Sequence, residues 1–333
     1  QSFKRPITAM GETESPLLAS PRTWKRHGQS GAWVSDWLPH TAGCVDDLAV
    51  IRSCWTNGIN HSGGVCQMNT GQPLAGRPSL GSWVNYGLGT ENENLPAFVV
   101  LPDHRGYASN GPKNWASAFL PAHTQGTTIF PQRKNPIENL KAQSGFVTDA
   151  SDQDGLKLLN RFNRTYNVDR DGDSRLDARI RSYELAAKMQ LSAPEAMDIS
   201  MEPEHILKMY GLENIGRKYG KDINIPEEAE YFGRKCLVAR RLLERGVRFI
   251  QIWSGNDNSF PRRNWDSHED IRRDHGPLAK GMAIGASALI KDVPYNQPLM
   301  YFAADHLIEK PNKLITAINK NKSNLDEKNV FIF

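Results

Sequence analysis

The sequence predicts an α/β protein with a mostly parallel sheet flanked by helices, and three stretches carry that expectation. Ala97-Phe98-Val99-Val100-Leu101 is short, apolar and β-branched, as a strand buried on both faces must be. Pro226 opens a helical run with Ala229, Phe232, Cys236, Ala239 and Leu243 on one face; Gly246 ends it and an apolar strand over 247–253 follows. Residues 48–53, Leu-Ala-Val-Ile-Arg-Ser, are expected as a further buried strand, leading through a polar turn at 56–60 into a weakly helical run that closes at Thr70-Gly71. Strands alternating with helices imply crossover connections and hence parallel pairing.

The remaining elements follow in order. Residues 1–31, rich in Pro, Ser, Gly and basic residues, are expected as irregular chain. A helix is expected over 34–45, with Trp37, Leu38 and Ala42 on one face. Ser79 is placed to cap a short helix carrying Leu80, Trp83, Val84 and Leu88, which stops at Gly87 or Gly89. Residues 102–139 form a long loop, and a loop of that length inside a domain is usually functional or covers a site. Helices are expected over 152–166 (Leu156, Leu159, Phe162), after an N-cap at Asp173 or Ser174, and over 202–210. The run 169–173 looks like a calcium loop, but its glycine falls one position early and no bidentate Glu follows.

Bulk properties narrow the function classes. The 333 residues are enough for one large domain or two medium ones, and a net charge of +4 with interspersed signs argues against a dedicated nucleic-acid surface. No apolar run approaches the roughly 20 residues that span a bilayer, and residues 1–20 lack the apolar centre of a signal peptide. Cys44, Cys54, Cys66 and Cys236 contain no close CxxC pair, which removes a zinc-finger reading. They are expected as buried free thiols, with a disulfide among the first three open if the protein is exported.

Two segments carry chemistry. Asn60-His61-Ser62 stands between an expected strand and a helix start, where free helix N–H groups face whatever binds; an ordinary capping serine is the plainer alternative. The second segment, 254–275, follows an expected strand end and contains Trp265-Asp266-Ser267-His268. An Asp and a His two apart suit one divalent metal, although Asp266 capping the next helix explains the same residues. Ligands of parallel sheets bind beyond the carboxyl ends of the strands, which places these segments together. In the long loop Lys113, Asn114, Trp115 and His123 are candidate ligand-facing residues, and Tyr107, Trp115 and Phe119 suit stacking on sugar rings.

A resemblance joins these pieces. The matching segments are His27-Gly28-Gln29-Ser30-Gly31, Cys44-Val45-Asp46-Asp47 with the run to Ser53, Met68-Asn69-Thr70-Gly71, Gly76-Arg77-Pro78-Ser79-Leu80-Gly81-Ser82-Trp83-Val84 and Tyr86-Gly87-Leu88-Gly89. Asn110-Gly111-Pro112 with Asn114-Trp115, Ala178-Arg179-Ile180, Ser182-Tyr183-Glu184-Leu185-Ala186, Phe232-Gly233-Arg234 and Trp265-Asp266 continue the series. In this order, over residues 22–293, they resemble the bacterial domain-of-unknown-function family numbered 1501, whose fold is similar to alkaline phosphatases and sulfatases.

The resemblance implies an alkaline-phosphatase-like α/β domain over 1–293, whose late helix residues 286–293 fit before Pro294 breaks it, followed by an irregular or sulfatase-like segment over 294–333 in which Asp305-His306 would sit near the active centre. It implies an exported hydrolase of phosphate or sulfate esters with a divalent metal: zinc, calcium or manganese. Ser62 or His61 would be catalytic, Asn60, Lys113 and Trp115 would bind a small-molecule or carbohydrate ester, and Asp266 and His268 would hold the metal. Against the family pattern the chain looks truncated at both ends, so an incomplete metal site, or a non-catalytic binding protein of the same fold with a carbohydrate or protein ligand, is the other expectation.

Overall fold

The computed structural model describes residues 19–48, 50, 54–58, 60–137, 147–167, 174–220, 222–256, 264–267 and 269–293. Along the chain these form β1 (Trp24–His27), β2 (Ala32–Ser35), α1 (Pro39–Ala42), α2 (His61–Thr70), α3 (Leu80–Leu88), β3 (Phe98–Leu101) and β4 (Thr127–Thr128). There follow α4 (Asp149–Asn167), α5 (Ser174–Met197), α6 (Glu204–Met209), α7 (Ile225–Glu244), β5 (Phe249–Ile252) and α8 (Ile271–Asp292). Segment 294–333 lies outside the described residues.

The larger sheet has the order β4-β3-β5 and both pairings are parallel, Val99 standing opposite Thr127 on one side and Ile250 on the other. The α/β class with a parallel sheet flanked by helices is therefore observed, although the sheet is small. All four residues of β3 are buried. Side chains alternate across a strand, so this one strand feeds two cores. Val99 and Leu101 pack with Leu237, Val238, Leu242 and Tyr210 on one face, while Phe98 and Val100 pack with Val65, Trp115 and Trp253 on the other.

Helices α7 and α8 form the closest helix pair. Gly285 lies against the Gly233 backbone and Gly281 against Glu228, so the axes approach where side chains are missing. A Cβ at Gly233 would enter the van der Waals shell of the Tyr210 carbonyl oxygen. These glycines mask α8 in the sequence: only 286–293 reads as helix, yet the helix begins at Ile271. Its N-cap is Asp270, which accepts the Arg272 and Arg273 N–H groups at 2.9 and 3.1 Å, and Asp266 does not serve as the cap.

The N-terminal reading needs correction. Residues 24–27 are a strand rather than irregular chain, and Val34 belongs to a strand rather than a helix. Lys25 pairs with Val34 in an antiparallel hairpin whose turn uses Gly28 and Gly31 at φ 63° and 62°. The Asp46 carboxylate accepts the Gln29 and Ser30 N–H groups at 2.8 Å each and clasps that turn. Pro39 starts the helix that the pattern placed five residues earlier. Of the strand expected over 48–53, residue 49 and residues 51–53 lie outside the described residues; Leu48 and Val50 are not in a strand, and Val50 is 47 % exposed. Helices α2, α3, α4, α6 and α7 and strands β3 and β5 fall where the pattern put them, to within a few residues. Cys44, Cys66 and Cys236 are buried free thiols, as expected, whereas Cys54 is only half-buried.

Gly233→Ala should lower stability by at least about 3 kcal/mol, because the added methyl meets backbone that cannot rotate away. Urea unfolding with an unchanged m-value is the measurement, and a variant within about 1 kcal/mol of wild type would contradict the close approach of α7 to the Tyr210 carbonyl at the end of α6.

Candidate functional site

The carboxyl ends of β3 and β5 open onto three segments: the start of α2, the turn at 102–114 and the chain at 254–267. Each is held by local chemistry. At the start of α2 the Asn60 side chain caps the Gly63 N–H at 3.0 Å. The turn at 56–58 lies flat on this first helical turn, and any side chain at Gly58 would strike the backbone of Gly64. Gln67, buried in the same helix, accepts from Thr56 Oγ1 at 2.8 Å and from the Asn57 N–H at 2.9 Å. Asn69 accepts from Gln251 and so ties α2 to β5.

Residues 264–267 are fastened at several points. Trp265 donates its indole N–H to Ser254 Oγ at 3.0 Å, and the Trp265 carbonyl lies 2.6 Å from His275 Nε2. Asn264 accepts the Asp266 N–H at 2.8 Å, and Ser267 donates to Asp274, itself 1 % exposed, at 2.7 Å. Asp266 thus sits between two anchored neighbours. Its Oδ2 lies 3.1 Å from His61 Nε2, with the two side chains 22 % and 47 % exposed.

This contact joins the two chemical segments read from the sequence, more than two hundred positions apart. Ser62, the next residue of α2, is exposed, and its carbonyl accepts from Asn110 Nδ2 at 2.6 Å. Asn110 adopts φ 71° and opens the short turn Gly111–Trp115, which carries exposed Lys113 to the same edge.

Other candidates fall elsewhere. Trp115 is 1 % exposed and packs against Tyr107 and Trp253, so it fills the core and cannot stack on a ligand. Asn114 is likewise buried and donates to the Ser109 carbonyl at 2.7 Å. Of the three rings expected to form a sugar platform, Phe119 alone is well exposed, at 61 %, and its ring partner is Trp83. His268 lies outside the described residues. Among the described residues no group of three or more His, Cys, Asp or Glu is arranged to hold a metal ion. His61 Nε2 and Asp266 Oδ2 nonetheless have the donor types and the separation of two ligands at about 2.0–2.2 Å from one divalent ion.

Beneath these residues lies a group of buried charges that sequence reasoning missed. Asp103 follows β3 directly and is 2 % exposed; its carboxylate accepts the Arg105 N–H at 2.9 Å and the Gly255 N–H at 2.8 Å. Lys235 of α7, also 2 % exposed, donates to the Trp253 carbonyl. His104 stacks on Tyr231 at 4.1 Å between centroids, and Arg105 pairs with Glu228. Burial raises the Asp103 carboxyl, but Lys235, Arg105 and His104 outweigh it and hold the group below the usual carboxylate range. Burial pushes the Lys235 ammonium down to about 8, against the pull of Asp103. The signal was present in the sequence: Asp-His-Arg stands directly after the most apolar strand, where the carboxyl-end rule applies as much as at the other two segments.

The native Lys235 pKa lies below that of an exposed lysine. Between the two values the unfolded chain binds more protons, so stability should rise with pH. Measured against Lys235→Met, the wild-type unfolding free energy should gain about 2 kcal/mol from pH 8 to pH 10. A flat difference in chemical denaturation across that window would show that Lys235 is not buried as a cation.

A family model described as "Protein of unknown function (DUF1501)" matches residues 1–295. No curated protein and no solved structure matches the chain. Among the described residues no helix is long and apolar enough to cross a membrane.

Proposed function

The chain belongs to the DUF1501 family, and we propose that it is a hydrolase of phosphate or sulfate esters related to the alkaline phosphatases and sulfatases. One observation carries the reading: His61, at the first position of α2, is paired with Asp266 at 3.1 Å beside the exposed Ser62.

The ester's anionic group sits at the N-terminus of α2. There the Asn60 side chain takes the Gly63 N–H, and the N–H groups of the first two helical residues, which have no intrahelical acceptor, serve the anion. Lys113, on the turn bound to Ser62 through Asn110, adds positive charge at the same edge. Ser62 Oγ is the nucleophile. Asp266 orients the His61 ring: an Nε2–H facing the carboxylate leaves Nδ1 as the nitrogen that exchanges a proton with the reacting oxygens. A zinc, manganese or calcium ion held by Asp266 and His268 would act as a Lewis acid and lower the pKa of the attacking hydroxyl. The reading carries with it an exported protein acting on small or sugar-derived esters.

The exposed ring group of Trp83, Tyr86 and Phe119, at 45 %, 56 % and 61 %, favours a second reading, a carbohydrate-binding protein of the same fold. A binder keeps its affinity on a glycan array when Asp266→Ala is made.

Purified protein should turn over an aryl phosphate or an aryl sulfate, with zinc, manganese and calcium supplied singly. Asp266→Asn and Ser62→Ala should each lower kcat by about a hundredfold or more, with melting temperatures within a few degrees of wild type. Absence of turnover of either ester with any of the three ions would remove the hydrolase reading.

A further inference from the structure

Helix α4 presents apolar side chains to solvent. Leu158, Phe162 and Tyr166 follow one another at four-residue intervals on one stripe and are 52 %, 62 % and 56 % exposed. The neighbouring Leu156 and Leu159 are partly buried, and α5 is packed against the helix. The stripe continues toward the N-terminus through two small exposed residues, Ser151 and Gly155, and a Cβ at Gly155 would meet open space. One flank of the stripe carries charge of both signs in a fixed order. Asp154, 75 % exposed and paired on its own helix with the equally exposed Lys157 at 3.0 Å, stands N-terminal, and exposed Arg161 lies two turns on, on the same side.

We propose that this face joins two copies of the chain, α4 lying antiparallel on α4 of the other copy. The order of residues argues for a copy rather than an unrelated partner, because the stripe is complementary to itself when reversed. With a two-fold axis between Leu158 and Leu159, Phe162 falls opposite Gly155 and Tyr166 opposite Ser151, large rings over the two positions that lack bulk. Each contact occurs twice, as an isologous interface demands. The same reversal sets Arg161 of each copy against Asp154 of the other on the flank, whereas a parallel two-fold would put the two charged flanks on opposite sides of the seam and leave them apart. A helix of this length offers about 28 Å of contact, so the dimer belongs to the small, micromolar class of interfaces. The proposal is independent of the hydrolase reading.

Sedimentation velocity over a micromolar concentration series decides it. Wild type should show a monomer–dimer equilibrium, and Phe162→Asp should raise the dimer Kd at least about thirtyfold without changing the far-UV circular dichroism. Arg161→Glu and Asp154→Arg, both on exposed surface and safe for folding, should each weaken the dimer at low salt, and the double variant should recover it because the pairs re-form with signs exchanged. Leu158→Cys, next to the axis, should give an interchain disulfide on oxidation. A monomer at every concentration overturns the proposal. So does a dimer that Phe162→Asp leaves intact, since the contact then lies elsewhere and α4 is covered by something other than its copy.

Discussion

Two buried charges govern where the chain goes as it leaves the sheet. Asp103 from the end of β3 takes the Gly255 N–H, and Lys235 from α7 holds the Trp253 carbonyl. Neither β-ladder hydrogen bonds nor apolar packing can fix a strand exit so tightly, because both end where the strand ends. Burying an ammonium and a carboxylate is expensive unless each is neutralised and hydrogen-bonded. Here the two partner each other's field and the backbone supplies the remaining partners. The direction they impose on residues 254–256 carries Trp265 onto Gly255 and leaves Asp266 facing α2.

The other half of the site depends on shape more than charge. Helix α2 has few apolar residues, and its place is set by Val65 in the core beside β3, by the Gln251–Asn69 bond to β5 and by Gly58 lying flat on its first turn. Glycine is required at that contact, and glycine recurs between α7 and α8 for the same reason. The close α7–α8 pair stiffens the face of the sheet from which Lys235 and Glu228 reach the carboxyl ends. Stability and site geometry therefore share residues.

Legibility in the sequence followed the strength of local signals. Ser79, Pro226, Gly71, Gly89 and Gly246 mark helix ends by chemistry internal to one turn, and those ends are found where expected. The hairpin of β1 and β2 was not legible, because Lys25 and Val34 are strand residues only in each other's company and through the Asp46 clasp. The start of α8 was hidden by Gly276, Gly281 and Gly285, poor helix formers whose absent side chains leave room for Trp37 at the first and for α7 at the other two. Trp115 looked like a ligand-facing residue because a loop tryptophan is usually outside, whereas its indole completes the core beside Trp253.

The sequence by itself determined the class: apolar strands and capped helices at these spacings leave little but a parallel α/β sheet, since each follows from periodicity and local hydrogen bonding. It also marked His61 and Asp266 as chemically apt. Only the tertiary structure decided that their side chains meet, because proximity across more than two hundred positions depends on strand order and on the buried Asp103 and Lys235 that steer the chain. No local rule contains those long-range terms.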